Sequence, residues 1–224
     1  MAPEPTEPAA NCQEILDAGV NTSGVYTIQH DGKTMQVYCN MESDAGYMEY
    51  AEGFGDLTGE FWLGSEKLHD LTSTGRCELI VTLRAFDGQN ATVCYEDFKI
   101  ESVDERYKLN VGSFHTVAGN AGDSLHGDQK FSTKDRGDDG SGSRNYAAMF
   151  HGGWWYKKYN GNNINSNLNG LYHSSPNVND YQGIQWVSYK RRDYSLKGCE
   201  MKMSCGPKKG CGSGGSGSKS GGSS

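Results

Sequence analysis

Between Gly119 and Tyr194 the sequence has almost no periodic element; the stretch is built from Gly, Asn, Asp, Ser and aromatic residues. A structureless segment of that length is rare in a compact domain, and where one occurs it is usually a functional loop region. The fold must therefore be one whose second half is made of loops. On either side the periods return. Cys77–Phe86 alternates Leu79, Val81 and Leu83 against Glu78, Ile80 and Thr82, and after Asp87-Gly88 the run Ala91–Ile100 completes a predicted hairpin. Tyr107–Val111 reads as a further strand, and Tyr194–Met203 alternates again and closes the domain. Upstream, Gly24–Ile28 and Gln36–Asn40 read as strands around an Asp31-Gly32 turn. Cys12–Gly19 is a predicted short helix between Asn11 and Gly19 as caps, and Glu60–Leu63 leads into a second, Ser65–Leu71, with Ser65 as its cap. There is no βαβ repeat, so the fold class is α+β with small antiparallel sheets, and a doubly wound sheet is not expected.

The 224 residues include 31 Gly, and only 35% are hydrophobic, but 13 Tyr and 4 Trp are enough to build a core. Residues 1–11 are rich in Pro and Glu and read as disordered, 12–205 as one domain, and 206–224 as a Gly/Ser-rich flexible tail. The net charge of −7 argues against a nucleic-acid partner. No apolar run approaches the ~18–20 residues that span a bilayer, so membrane insertion is not expected. Seven cysteines favour an oxidising compartment, and the odd number leaves at least one free or intermolecular. None has the paired spacing of a zinc ribbon. Two sequons, Asn21-Thr22-Ser23 and Asn90-Ala91-Thr92, fit a secreted glycoprotein. The first ten residues have no basic or apolar targeting region, and read as a mature protein with an added Met. The histidines at 30, 69, 115, 126, 151 and 173 form no metal-binding spacing, and no nucleophile elbow, P-loop or dinucleotide fingerprint is present, so an enzyme is not expected. Cys77 and Cys94 flank the predicted hairpin, as a cross-strand disulfide or as two buried thiols.

Asp135-Arg136-Gly137-Asp138-Asp139-Gly140-Ser141-Gly142-Ser143-Arg144-Asn145 places three carboxylates close together, followed by turn residues. Hard oxygen donors on a Gly/Ser loop suit calcium, which takes 6–8 oxygens including carbonyls, while a solvated acidic loop is the alternative. The spacing is not that of an EF-hand.

Several strings are specific. Gly53-Phe54-Gly55-Asp56-Leu57-Thr58-Gly59-Glu60-Phe61-Trp62-Leu63-Gly64, Phe131-Ser132-Thr133-Lys134-Asp135, Gly153-Trp154-Trp155-Tyr156, Ser166-Asn167-Leu168-Asn169-Gly170, Tyr194-Ser195-Leu196-Lys197 and Glu200-Met201-Lys202 follow in this order. In them the sequence resembles the fibrinogen C-terminal domain family, which includes ficolins, tachylectins, angiopoietins and fibrinogen-related lectins. The resemblance covers about Asn11 to Ser204. It implies a secreted recognition module of the innate-immune lectin kind, binding glycans or acetylated surface groups. A protein-binding domain that grips a polypeptide or cell-surface receptor is the second reading. It also implies an N-terminal lobe held by a Cys12–Cys39 disulfide, a central antiparallel sheet, and a loop-rich lobe with a calcium site and a ligand pocket. Neither coiled coil nor collagen stalk is present, so any oligomer would form through the globular faces or Cys205 and Cys211.

Against that pattern the sequence departs in four ways. After Gly46 about twenty residues are absent, the length of a strand, turn and strand, which leaves a gap in the central sheet. The cysteines expected to bracket the pocket are Tyr146 and Tyr159. The histidine after the second is Asn160, followed by the insertion Gly161–Asn165 at the rim. The acetyl-binding wall corresponds to Phe150, Tyr181 and Arg192, and Arg192, beside Arg191, favours an anionic or polyhydroxyl ligand. Trp154, Trp155 and Tyr156 either stack on sugar or belong to the core. By the same resemblance Asp138 and Asp139 are the best calcium side chains, with Asp135 and Gly142 completing the set. The loop is one residue longer than the common version, so one carboxylate is out of place and weak calcium binding is expected.

Overall fold

A computed structural model describes residues 9, 14–15, 18, 20, 24–30, 33–39, 46–56, 59–137, 144–157, 164–206 and 211. The fold opens with an antiparallel hairpin, β1 (Gly24–His30) and β2 (Lys33–Cys39), paired from Gly24 opposite Cys39 to His30 opposite Lys33. Ile28 of β1 is buried with Ala9 and Ile15 in a small separate cluster. Cys12 and the Cys39 side chain lie outside the described residues, and so does their expected disulfide.

Helix α1 (Tyr47–Glu52) follows, then the short pair β3 (Phe54–Gly55) and β4 (Phe61–Trp62), and helix α2 (Ser65–Ser73). The N-cap of α2 is Gly64, not Ser65. Gly64 sits at φ +107, and a Cβ there would lie 2.6 Å from the Glu52 carbonyl oxygen, so only glycine fits this turn. Thr72 of α2 accepts a hydrogen bond from the Ile100 amide at 3.0 Å and donates to the Leu68 carbonyl at 2.7 Å, pinning the helix beside strand β7 (Lys99–Ile100).

The centre is a four-stranded antiparallel sheet. Its members are β5 (Cys77–Arg84), β6 (Asn90–Tyr95), β9 (Phe114–Ala118) and β12 (Gly198–Cys205), in the order β12-β5-β6-β9. The alternation in β5 is realised: Leu79, Val81 and Leu83 are no more than 2% exposed and face the core with Val93 and Tyr95. Burial of each such residue contributes about 1.5–3 kcal/mol. The run from Ala91 to Ile100 is broken into β6 and β7, and the strand expected at 107–111 shrinks to β8 (Leu109–Asn110), which pairs with β7. Tyr107 is left outside it at φ +48. The last strand starts later than expected, at Gly198.

The cysteines correct the sequence reading. Cys77 bonds Cys205 and Cys94 bonds Cys211; Cys199 is free. A Cys77–Cys94 bridge is excluded by register, because Cys94 lies opposite Ile80, so Cys77 is three residues away and on the other face. Cys77 instead faces Cys205 directly, with Cα atoms 4.1 Å apart. Both bridges are intramolecular and fasten the C-terminal strand and the residue 211 turn to the sheet, so neither cysteine serves as an intermolecular link.

Candidate functional site

The loop-built half carries only helix α3 (Tyr146–Phe150) and the two-residue pair β10 (Ser166–Asn167) and β11 (Gln185–Trp186) among its described residues. Its backbone is held by side chains instead. Asn145 caps α3, its Oδ1 accepting from the Ala148 amide at 3.0 Å, while its Nδ2 donates to the carbonyls of Thr133 and Lys134. At the other end Gln182 donates to the Met149 carbonyl, Asn167 to Phe150 and Asn169 to Gly153, each at 2.9 Å. Asn167 is fully buried. Gly170 completes this frame: a Cβ there would collide with the Gly183 carbonyl.

On this frame three of the predicted ligand residues meet. Phe150 and Tyr181 pack edge to face, centroids 5.5 Å apart. Tyr181 has φ +63, and its amide donates to the Arg192 carbonyl at 2.7 Å. Burial pushes the Tyr181 phenol up, and a hydrogen bond from the Arg192 side chain opposes that. Arg192 Nε lies 3.0 Å from Asp180 Oδ2. Arg192 is thus the guanidinium against the ring wall. Arg191 is not: it is 85% exposed, makes a two-pronged pair with Asp193, and lines a separate open depression of about 350 Å³ with Lys190 and Tyr194. Tyr159 and Asn160 lie outside the described residues. Tyr146, expected at the pocket edge, is wholly buried against Phe150 and Tyr156. Trp154, Trp155 and Tyr156 are core residues, at most 2% exposed, so the sugar-stacking alternative falls. Their polar atoms are spent internally, Trp155 on the Tyr107 carbonyl and Trp154 on Ser166.

Of the expected calcium residues, Asp138, Asp139 and Gly142 lie outside the described residues. Asp135 already has work. Its carboxylate accepts from the Tyr47 amide at 3.0 and 3.2 Å and from the Thr133 hydroxyl at 2.6 Å, tying the loop to the start of α1. Partial burial pushes this carboxyl up, but those hydrogen bonds outweigh it and hold it below the usual carboxylate range. Carboxylate and carbonyl oxygens are the donors calcium takes, so the residue types fit the ion, with Asp135 bound into the scaffold. Among the described residues the groupings with metal-ligand spacing lie elsewhere, around Glu78, Glu96, His115, Cys94 and Cys211, and the two cysteines are joined to each other there.

The amides of Asn167, Asn169 and Gln182 were not singled out from sequence, although two of them stand in the Ser166–Gly170 string. No helix among the described residues is long and apolar enough to cross a membrane.

An α+β globe with a small central sheet and a loop-built lobe presenting rings beside a guanidinium defines a narrow class. The family model described as fibrinogen beta and gamma chains, C-terminal globular domain, matches residues 9–48 and 45–206. The protein belongs to this family. The two pieces of the match overlap at residues 45–48, around Gly46, after which the resemblance leads one to expect the missing length. Over 220 residues it is 38% identical to Ryncolin-4 of Cerberus rynchops, covering 89% of this chain and 61% of that protein. It thus spans about three fifths of this relative's length. The fibrinogen-like globe domain of human ANGPTL6 is similar in structure, with a TM-score of 0.67 at 31% identity over 93% of this chain and 100% of that one. So is lamprey fibrin D-dimer complexed with the peptide Gly-His-Arg-Pro-amide, with a TM-score of 0.66 at 26% identity over 98% of this chain and 80% of that one.

Proposed function

We propose that the protein is an extracellular, non-enzymatic recognition module that binds glycans or acetylated and anionic surface groups through the loop-built lobe. The observation that carries this reading is the meeting of Phe150, Tyr181 and Arg192 on one rigid frame. A ring wall accepts an apolar group by burial, and a guanidinium beside it takes a carboxylate or sulfate through paired hydrogen bonds. Such a ligand would take Arg192 over from Asp180. Tyr159 and Asn160 would form the rim. Calcium, when bound, would brace the acidic loop through Asp138 and Asp139 with Asp135 and Gly142, without touching the ligand. Two disulfides support an oxidising compartment, and Asn90 is exposed, so its sequon is open to glycosylation. These properties suit surface recognition of the innate-immune kind.

A second reading is supported by the peptide in the lamprey D-dimer complex: the same face would grip a polypeptide or a receptor. A glycan array with and without a calcium chelator, repeated with Arg192→Tyr, separates the two. Sialylated or sulfated glycans should outbind neutral N-acetylhexosamines, and the substitution should remove the preference. An unchanged anionic affinity in Arg192→Tyr sinks the proposed site. A blank array beside a positive receptor pull-down favours the polypeptide reading.

A further inference from the structure

β12 ends the described sheet, and its outer edge carries free backbone. Gly206 donates to the Arg76 carbonyl at 3.2 Å, continuing the register in which Cys205 faces Cys77. Hydrogen-bonded pairs recur at every second residue of an antiparallel ladder, so the even-numbered residues of β12 turn both N–H and C=O toward β5. The other side of β5 agrees, since Ala85 donates to Gln89 and Cys77 accepts from Phe98. Cys199, Met201 and Met203 therefore aim N–H and C=O away from the sheet. None of these outward groups bonds another described residue. Their side chains are only half-buried, whereas Leu79, Val81 and Leu83 opposite them on β5 are fully buried. An exposed edge of this kind is a template for another strand.

The charges select the strand. Glu200 and Lys202 alternate on the outer face, 39% and 64% exposed. We propose that β12 pairs antiparallel with β12 of a second copy, about a two-fold axis through Met201. This joins two four-stranded sheets into one. Met201 faces its own copy and Cys199 faces Met203, all as hydrogen-bonded pairs built from the outward groups. Glu200 faces Lys202 on both sides of the axis, in the non-hydrogen-bonded positions where Cα atoms approach to about 4.5 Å. Moving the axis to Cys199 or Met203 loses both charge pairs, and moving it by one residue, to Glu200 or Lys202, keeps the backbone pairing but sets Glu200 opposite Glu200 or Lys202 opposite Lys202. A second copy supplies the complementary order by symmetry. The inference goes beyond the ligand reading and does not depend on it, although a dimer would make the module bivalent.

Sedimentation velocity of the whole oxidised protein over a concentration series tests the pairing. A species of twice the 24.4 kDa monomer mass should form reversibly. Lys202→Glu and Glu200→Lys should each raise the dimer dissociation constant roughly tenfold, since each turns two attractive pairs into two repulsive ones. The double variant Glu200→Lys/Lys202→Glu should restore association. A wild-type protein that stays monomeric up to its solubility limit overturns the proposal. So do single reversals without effect, or a double variant that stays dissociated. If a reversed-charge variant loses its fold, hydrogen exchange on the wild type decides. The amides of Cys199, Met201 and Met203 should gain protection as concentration rises, and no dependence on concentration overturns the pairing.

Discussion

The central sheet and the loop-built lobe solve the same problem by opposite means. In the sheet, backbone groups satisfy one another along ladders, an alternating apolar face fills the core, and two disulfides close the C-terminal strand onto β5 and β6. In the lobe, ladders are two residues long, and carbonyls are met one at a time by Asn145, Asn167, Asn169, Gln182 and Gln185. The sheet's covalent closure acts largely on the unfolded state, by limiting its freedom. The lobe's amides act only in the folded state, where each meets a carbonyl that folding takes wholly or partly out of water. A recognition surface can therefore vary its rim residues while the sheet beneath is held by bonds that do not depend on them.

Breaking the sheet's closure should have the largest effect. The two bridges enclose nearly the same segment, with sequence separations of 128 and 117. Once one is formed, the other closes a loop of only about two dozen residues. Removing either pair alone, as Cys77→Ala/Cys205→Ala or Cys94→Ala/Cys211→Ala, should cost about 3 kcal/mol and lower the melting temperature by about 10 °C. Removing both should cost about 8 kcal/mol, more than the sum, because the long loop then opens too. That approaches the whole stability of an ordinary domain. Calorimetry on the three variants checks this, and additive losses would contradict overlapping loops.

Breaking the lobe should cost less and stay local. Asn167→Ala leaves the Phe150 carbonyl buried without its donor, at about 1–3 kcal/mol. Amide exchange should rise in α3 and around Phe150 while β5 and β6 stay protected. A global loss of protection would mean that the two regions are not energetically distinct.

What could be read in advance follows the same division. The β5 face was legible because period-2 alternation is forced on any half-buried strand. The register that pairs Cys77 with Cys205 was not, because a strand 128 residues away is selected by tertiary packing, and no local pattern encodes it. Strand β9 was missed for a related reason: it is a solvent-facing edge strand whose burial does not alternate. In the lobe only the resemblance brought Phe150, Tyr181 and Arg192 together, since contacts made by single side chains leave no period.

A smaller effect should appear with pH. Burial lowers the pKa of His126 and His173 below 6.5, outweighing the Gln182 backbone contact at His173 and the Asp123 charge at His126. Both belong to the lobe: His126 bonds Asn165, and His173 lies 3.3 Å from the Cβ position of Gly183. A histidine whose folded pKa is depressed binds more protons when unfolded, so stability rises with pH. The contribution is complete above the unfolded value, near 6.5, and is lost as pH falls toward the folded values. Melting temperature should therefore decline as solutions are acidified below neutrality, and His173→Gln should flatten part of that slope. A slope unchanged in both His173→Gln and His126→Gln would place the acid sensitivity elsewhere.

The smallest effect concerns Cys199, which stands where the two regions touch. It is on β12 of the sheet, and its thiol points at the Leu168 carbonyl of the lobe, 3.6 Å away. Burial pushes this thiol up to about 12, and the nearby Glu60 charge adds to the shift. A thiolate is the reactive form, so at mildly alkaline pH the folded protein should present almost no nucleophile at this position. Iodoacetamide should leave Cys199 unmodified in the native protein and label it on denaturation without reduction, with peptide mapping as the readout. Cys199→Ala should cost no more than about 1 kcal/mol, as a small half-buried residue truncated at a strand edge. The Asn167→Ala variant sharpens the comparison: loosening the lobe around Leu168 should speed native labelling of Cys199 while the sheet stays intact. Labelling that stays equally slow in that variant would mean that the sheet alone shields the thiol.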